Sequence, residues 1–258
     1  MVIGIRCRRS ERVIVRGDVR SGLRSLPMVT SLVLLPSPLL GPSVWKPVVH
    51  ALATNGWTTM PCSAPTSPHT GREVLDSFLA QLPTDQGLIL VAHSNAGAYI
   101  PILSTHRSVA GAVFVDALLP PPRGDLPLAP PAFLNFLRQK VDAGGVLPVW
   151  TDWWEESDVA ALFPDNETRH RIEREQPRLP MSYFEDQLVI PDGWDEGLPA
   201  AYLAFGNTYS RERDDAERRQ WPVTTLAGDH LHLVNDPIQV ATALIDLLKQ
   251  MGITAPLL

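Results

Sequence analysis

Short apolar runs alternate along this chain with segments whose apolar residues recur every three or four positions. Uninterrupted apolar runs are typical of parallel strands buried on both faces, and the three-to-four spacing is typical of amphipathic helices. The predicted strands are Ser31–Leu35, Thr58–Cys62, Gly87–Ala92, Ala110–Asp116, Ala200–Phe205 and Trp221–Leu226. The predicted helices are Ser43–Leu52, Glu73–Leu82, a segment from Ser94 to about Leu103, Asp214–Arg219 and a last helix that begins at Asp236-Pro237. With right-handed crossovers, this alternation predicts an α/β fold with a doubly wound, mostly parallel sheet.

The pattern breaks between residues 120 and 199. Prolines interrupt the chain there, and the segments between them are helix-compatible and rich in aromatic residues. We interpret residues 120–199 as a helical cap inserted into a core made of residues 28–119 and 200–258. Trp150, Trp153 and Trp154 belong either to the interior of this cap or to the apolar wall of a substrate pocket.

Composition narrows the class of protein. A hydrophobic content of 45% and a charged content of 19% are typical of a soluble globular protein. No apolar run approaches the roughly 20 residues needed to cross a bilayer. Two cysteines, Cys7 and Cys62, are too few for a disulfide framework or a thiolate metal site. We therefore expect a cytoplasmic monomer or homodimer that does not bind membranes.

The net charge of −6 is unevenly distributed. Residues 1–27 contain seven arginines against Glu11 and Asp18, a net charge of +5, so the remaining residues carry −11. An acidic body argues against nucleic-acid binding. The basic segment lacks the apolar stretch of a secretory signal, so it is either an early β-hairpin or an N-terminal extension upstream of Met28, and we favour the extension.

One stretch carries candidate chemistry. The apolar run that begins at Gly87 leads directly into Ser94, and a helix-compatible segment follows. A sharp turn from strand to helix exposes a serine hydroxyl and directs the first helical N–H groups at the reacting centre. Small residues, which such a turn requires, flank the serine as Ala92, Ala96 and Gly97. The alternative is an ordinary turn in which Ser94 only caps the helix.

A nucleophilic serine needs a base and a group that orients the base. His230 follows the last predicted strand, and His232 is its nearest competitor. Asp116 ends the strand after the Ser94 helix and is the preferred orienting acid. Asn207, after the penultimate strand, is the alternative, although its amide carries no charge.

These residues resemble the α/β-hydrolase superfamily, whose nucleophile elbow usually reads G-x-S-x-G, with Ala92 and Ala96 standing here for the two glycines. The order Ser94, Asp116, His230 matches the order of the family's triad, and the resemblance spans residues 28–258. It implies an oxyanion hole that includes the Asn95 N–H. The second donor usually comes from the loop after the first central strand, where Pro38 has no N–H, so Leu39 N–H or the Ser37 hydroxyl is expected to replace it.

His93 is interpreted as pocket lining or turn packing. From Pro36 to Trp45, the loop is also similar in spacing to that of plant-type methyl esterases and hydroxynitrile lyases.

The predicted function is acyl transfer to water: a serine hydrolase that cleaves a small, largely apolar ester or lactone, with no metal or organic cofactor. Two other classes stay open. The same triad serves hydroxynitrile lyases and C–C-bond hydrolases, and a protein with this fold can be a non-catalytic binding module.

Overall fold

The structure, a computed structural model, describes residues 29–255 and contains a six-stranded parallel sheet with flanking helices. Its strand order is β2-β1-β3-β4-β7-β8. The strands are β1 (Val29–Leu35), β2 (Thr59–Pro61), β3 (Gly87–His93), β4 (Val109–Val115), β7 (Ala200–Phe205) and β8 (Val223–Leu226). All five neighbouring pairs are parallel. The predicted α/β fold class is confirmed. The basic segment 1–27 and Cys7 lie outside the described residues.

Helices flank these strands close to the predicted positions, and a short helix at His232–Asn235 is an addition that the sequence did not predict. They are α1 (Lys46–Thr54), α2 (Gly71–Gln81), α3 (Ile100–His106), α8 (Ser210–Arg218), α9 (His232–Asn235) and α10 (Pro237–Gln250). The Asp236 side chain accepts the Gln239 N–H and caps α10, with Pro237 in the first turn. No helix among residues 29–255 has the length and apolarity needed to span a bilayer.

The segment after Ser94 differs from the single helix that the sequence predicts. A 3-10 helix covers Ser94–Tyr99, and the α-helix begins only at Ile100. An α-helical ladder through this point would need an N–H from Pro101 to the Gly97 carbonyl, and proline has none. The Ile100 N–H takes that carbonyl instead, one residue earlier.

Strand β3 forms the centre of the hydrophobic core. All seven of its residues are buried, and it lies between β1 and β4. Its carboxyl end is therefore the middle of the sheet edge at which parallel α/β folds bind ligands.

The segment between β4 and β7 contains short helices and a second, two-stranded sheet. The helical elements are α4 (Pro131–Leu137), a 3-10 helix (Trp150–Trp153), α5 (Glu156–Ala161), α6 (Asn166–Glu173) and α7 (Met181–Glu185). Strands β5 (Gly124–Pro127) and β6 (Gln187–Ile190) pair antiparallel near the two ends of the segment. The sequence did not predict these strands, because each has four residues and β5 carries a glycine and a proline, which are rare in strands.

Candidate active site

Ser94 occupies a strained turn directly after β3. Its φ angle is 59°, in the left-handed region that non-glycine residues rarely adopt. The Leu118 N–H donates to the Ser94 carbonyl over 3.1 Å and ties this turn to the loop after β4. The backbone therefore holds the serine at the sheet edge in one orientation.

Gly97 makes this close approach possible. A Cβ atom at position 97 would lie 2.1 Å from the Leu118 carbonyl oxygen, well inside van der Waals contact. Ala92 and Ala96 are fully buried on either side of the serine. The glycine required for packing is thus the third residue after Ser94, and alanine is tolerated at the second.

Ser94, His230 and Asp116 form a continuous hydrogen-bonded chain. The His230 Nε2 lies 3.0 Å from Ser94 Oγ, and its Nδ1 lies 2.6 Å from Asp116 Oδ2. A carboxylate only accepts, so Nδ1 carries the proton and donates to Asp116. In the neutral imidazole Nε2 then accepts the Ser94 hydroxyl proton, as a general base must.

Asp116 is held by the backbone on several sides. It is fully buried, has a φ of 41°, and donates its own N–H to the Leu203 carbonyl over 2.7 Å. Its Oδ1 accepts the Phe205 N–H over 3.1 Å, so both carboxylate oxygens have partners. The Tyr202 hydroxyl bonds both the N–H and the carbonyl of Ala117 and fixes the same loop.

The two competing residues lie elsewhere. His232 is directed away through a 2.7 Å contact between its Nε2 and the Gln239 amide oxygen. Asn207 is exposed, and Asp116 already occupies the Nδ1 of His230.

His93 does not line a pocket, which corrects the first interpretation from the sequence. Its ring is fully buried behind His230, with the centroids 4.7 Å apart, and its Nε2 donates to the His230 carbonyl over 3.0 Å. Burial, reinforced by the nearby His230, holds the pKa of His93 well below its usual value. His93 therefore supports the His230 loop as a neutral imidazole.

Beside the serine lies a cavity of about 750 Å³. Its wall is largely apolar, and much of it comes from the segment between β4 and β7. That part comprises Leu126, Pro127, Leu128, Pro130, Pro131, Phe133, Trp150, Trp154, Asp158, Leu162 and Phe184. Ser94, Asn95 and His230 open onto the same space.

Trp150 and Trp154 contribute to this wall, whereas Trp153 does not. Trp153 is 3% exposed, packs against Phe133 and Phe184, and donates its indole N–H to the Pro148 carbonyl. Trp153 therefore belongs to the interior of the inserted segment. The Pro148 carbonyl provides the hydrogen-bond partner that a buried tryptophan N–H needs.

The predicted oxyanion donors are only partly at the cavity. Asn95 lines the cavity. Its backbone N–H lies in the first turn of the 3-10 helix, where N–H groups have no acceptor within the helix. Leu39 also lines it, with its N–H 3.3 Å from Ser37 Oγ. Ser37 is fully buried and is not part of the wall, so the prediction that its hydroxyl faces the reacting centre is wrong; that hydroxyl accepts within its own loop.

The side chain of Asn95 is fixed by partners from the inserted segment. Its Oδ1 accepts from the Tyr183 hydroxyl over 2.8 Å, and its Nδ2 donates to the Leu128 carbonyl over 3.3 Å. Tyr183 in turn contacts the Tyr99 hydroxyl over 3.0 Å. This chain of contacts joins the turn after β3 to the elements above it.

Two residues at the cavity were not identified from the sequence. The Tyr209 hydroxyl lies 3.4 Å from Ser94 Oγ, and Glu212 lines the wall nearby. Burial raises the pKa of Tyr209 to about 12 and raises that of Glu212 above its usual value. The available signal was position: both follow β7, whose carboxyl end lies at the same sheet edge as that of β3.

No group of three or more histidine, cysteine or acidic side chains within residues 29–255 is arranged to hold a metal ion. The polar groups at the cavity are instead those of proton transfer and hydrogen bonding.

Strand order, the turn at Ser94 and the hydrogen-bonded chain together define an α/β-hydrolase fold, and comparison with solved structures agrees. An extracellular α/β-hydrolase from a Paenibacillus species, described as homologous in structure and function to tobacco salicylic acid binding protein 2, is 16% identical with a TM-score of 0.66, covering 86% of this chain and 99% of its own. An Arabidopsis methylesterase is 15% identical with a TM-score of 0.65, covering 86% and 100%. A pyrethroid hydrolase is 19% identical with a TM-score of 0.63, covering 87% and 100%. No protein-family model matches the chain, and no curated protein matches it in sequence.

Proposed function

We propose that this protein is a serine hydrolase that cleaves a small, largely apolar carboxylic ester or lactone. The observation that carries the proposal is the Ser94–His230–Asp116 hydrogen-bonded chain at the wall of an apolar cavity. The likeness to a methylesterase and a pyrethroid hydrolase favours ester chemistry over other uses of the fold.

In the proposed reaction, Ser94 Oγ attacks the ester carbonyl carbon while His230 Nε2 takes its proton. The carbonyl electron pair moves onto oxygen, where the Asn95 N–H stabilises the negative charge. Collapse of this intermediate expels the alcohol, which receives the proton from His230, and leaves an acyl group on Ser94.

Water completes the cycle. His230 removes a proton from water, the resulting hydroxide adds to the acyl carbon, and the acid leaves as Ser94 recovers its proton. Asp116 orients the imidazole and stabilises its cationic form during both half-reactions.

The segment 120–199 is proposed to act as the cap that provides the apolar part of the binding site. Phe133, Trp150 and Trp154 present rings to the cavity, and such surfaces bind hydrocarbon groups rather than charged ones. An ester of modest size with apolar acyl and alcohol groups fits this wall.

The test is intact-mass analysis after treatment with a fluorophosphonate probe, followed by a panel of esters and lactones. We expect one adduct on the wild type and on Ser157→Ala, which changes an exposed serine, and no adduct on Ser94→Ala. A folded wild type that takes up no probe and hydrolyses no ester would overturn the proposal. Turnover of cyanohydrins or β-diketones in place of esters would move the assignment to lyase or C–C-bond hydrolase chemistry.

A further inference from the structure

Tyr209 and Leu39 reach Ser94 from opposite sides of strand β3. The sheet order places β1 on one side of β3, and β4 followed by β7 on the other. Leu39 follows β1, whereas Tyr209 follows β7. The ring centroids of Tyr209 and His230 are 5.7 Å apart, so the phenol lies beside the imidazole.

The proton positions give Tyr209 one role in the contact. His230 Nδ1 donates to Asp116, so Nε2 must accept the hydrogen of the Ser94 hydroxyl. The 3.4 Å contact between the Tyr209 hydroxyl and Ser94 Oγ is then directed from the phenol to the serine oxygen. The Tyr209 hydroxyl therefore directs its hydrogen at Ser94 Oγ, next to the His230 ring.

We propose that Tyr209 is a catalytic residue that hydrogen-bonds the leaving oxygen of the ester, and that it holds the attacking water at the same place in the second half-reaction. This inference rests on the proposed ester hydrolysis. In that reaction His230 hands its proton to the leaving oxygen, which must lie near Nε2 and within reach of the neighbouring phenol. The reverse of leaving-group departure is attack by an oxygen at the same position, so water occupies it next.

The phenol supplies a hydrogen bond and no net proton. Its pKa of about 12 keeps it protonated through the neutral range, while His230 carries the transferred proton. The Tyr209 hydrogen bond stabilises the transition state most when the leaving oxygen develops full negative charge, as in an alkyl ester. It stabilises it least when the leaving anion is already stable, as in a nitrophenyl ester.

The experiment compares Tyr209→Phe with the wild type on a series of acetate esters with alcohols that range from ethanol to nitrophenol. Every member forms the same acetyl-enzyme, so kcat/KM isolates acylation and its dependence on the alcohol. We expect kcat/KM to fall about 10- to 100-fold for ethyl acetate and less than about threefold for nitrophenyl acetate. The variant should still take up the fluorophosphonate at Ser94.

Tyr202→Phe is the matched control, because it also removes a buried phenolic hydroxyl but one that bonds Ala117 instead of Ser94. Any decrease of kcat/KM in Tyr202→Phe should be the same for every ester of the series. An equal loss across the series in Tyr209→Phe, or no loss at all, would overturn the role of Tyr209 while leaving the hydrolase assignment intact. A wild type that hydrolyses no ester would overturn both.

Discussion

His93 donates a hydrogen bond from Nε2 to the backbone carbonyl of His230, and the two imidazole rings are stacked. The residue before the proposed nucleophile thus holds the loop that carries the proposed base. Because His93 is fully buried, its neutral form is the only one that the folded protein accommodates readily.

This burial predicts a loss of stability in acid. The folded protein does not bind the proton that His93 takes up in the unfolded chain below about pH 6.5, so lowering the pH favours unfolding. This contribution to the free energy of unfolding is nearly complete at pH 7.5 and falls by about 1.4 kcal/mol on going to pH 5.5. Urea unfolding at pH 7.5 and 5.5 should show that the free energy of unfolding falls less between these pH values in His93→Gln than in the wild type. His50→Gln, which changes an exposed histidine, should behave as the wild type; identical pH dependence in all three proteins would contradict the prediction.

Replacing Asp116 by asparagine is expected to lower kcat about 10³- to 10⁴-fold with KM little changed. The amide cannot stabilise the imidazolium, and it favours the wrong tautomer of His230. Steady-state kinetics on a responsive ester measure the effect. Asn207→Ala, at the exposed alternative position, should retain full activity. An active Asp116→Asn would show that another group orients His230.

A methyl group at position 97 should destabilise the protein. In Gly97→Ala the added carbon meets the Leu118 carbonyl oxygen, and backbone must move to admit it. We expect the free energy of unfolding to fall by about 1–3 kcal/mol or more. Gly144→Ala, where the added carbon meets only the end of the exposed Asp142 side chain, is the control and should lose far less. Equal thermal stability of the two variants would disprove the packing argument.

Charge in the cavity predicts discrimination against anionic esters. Among residues 29–255, its wall includes the carboxylates Asp158 and Glu212 and no lysine or arginine. A half-ester that bears a free carboxylate should therefore have a KM about tenfold higher than the matching neutral diester. Glu212→Gln should narrow this ratio, and Glu217→Gln, on the exposed face of the same helix, should not. A ratio near one in the wild type would refute the prediction.

The sheet was predictable because its strands carry their own signal. Ala200–Phe205 was placed at its observed bounds, since a buried parallel strand is apolar on both faces and this one is bracketed by Pro199 and Gly206, which disfavour strands. Asp116 could be singled out because it comes directly at the end of such a strand, and ligand sites in open α/β sheets lie at strand ends.

Side-chain direction was not predictable in the same way. His93 adjoins Ser94 in sequence, yet the sharp change in backbone direction sends the two side chains to different sides of His230. Trp153 and Trp154 are adjacent too, and only Trp154 reaches the cavity, because that choice depends on how a short 3-10 helix packs. Tyr209 was missed because no local pattern marks a tyrosine whose partner lies more than a hundred residues away.

The pairing of β5 with β6 has a consequence for how this architecture can change. Gly124 pairs with Ile190, so the two ends of the segment between these strands lie side by side. Loops whose ends are already held together tolerate changes in length and sequence at small entropic cost. Residues between these two strands can thus vary in length and sequence while the sheet keeps its register, so long as Tyr183 and Leu128 keep their hydrogen bonds to Asn95.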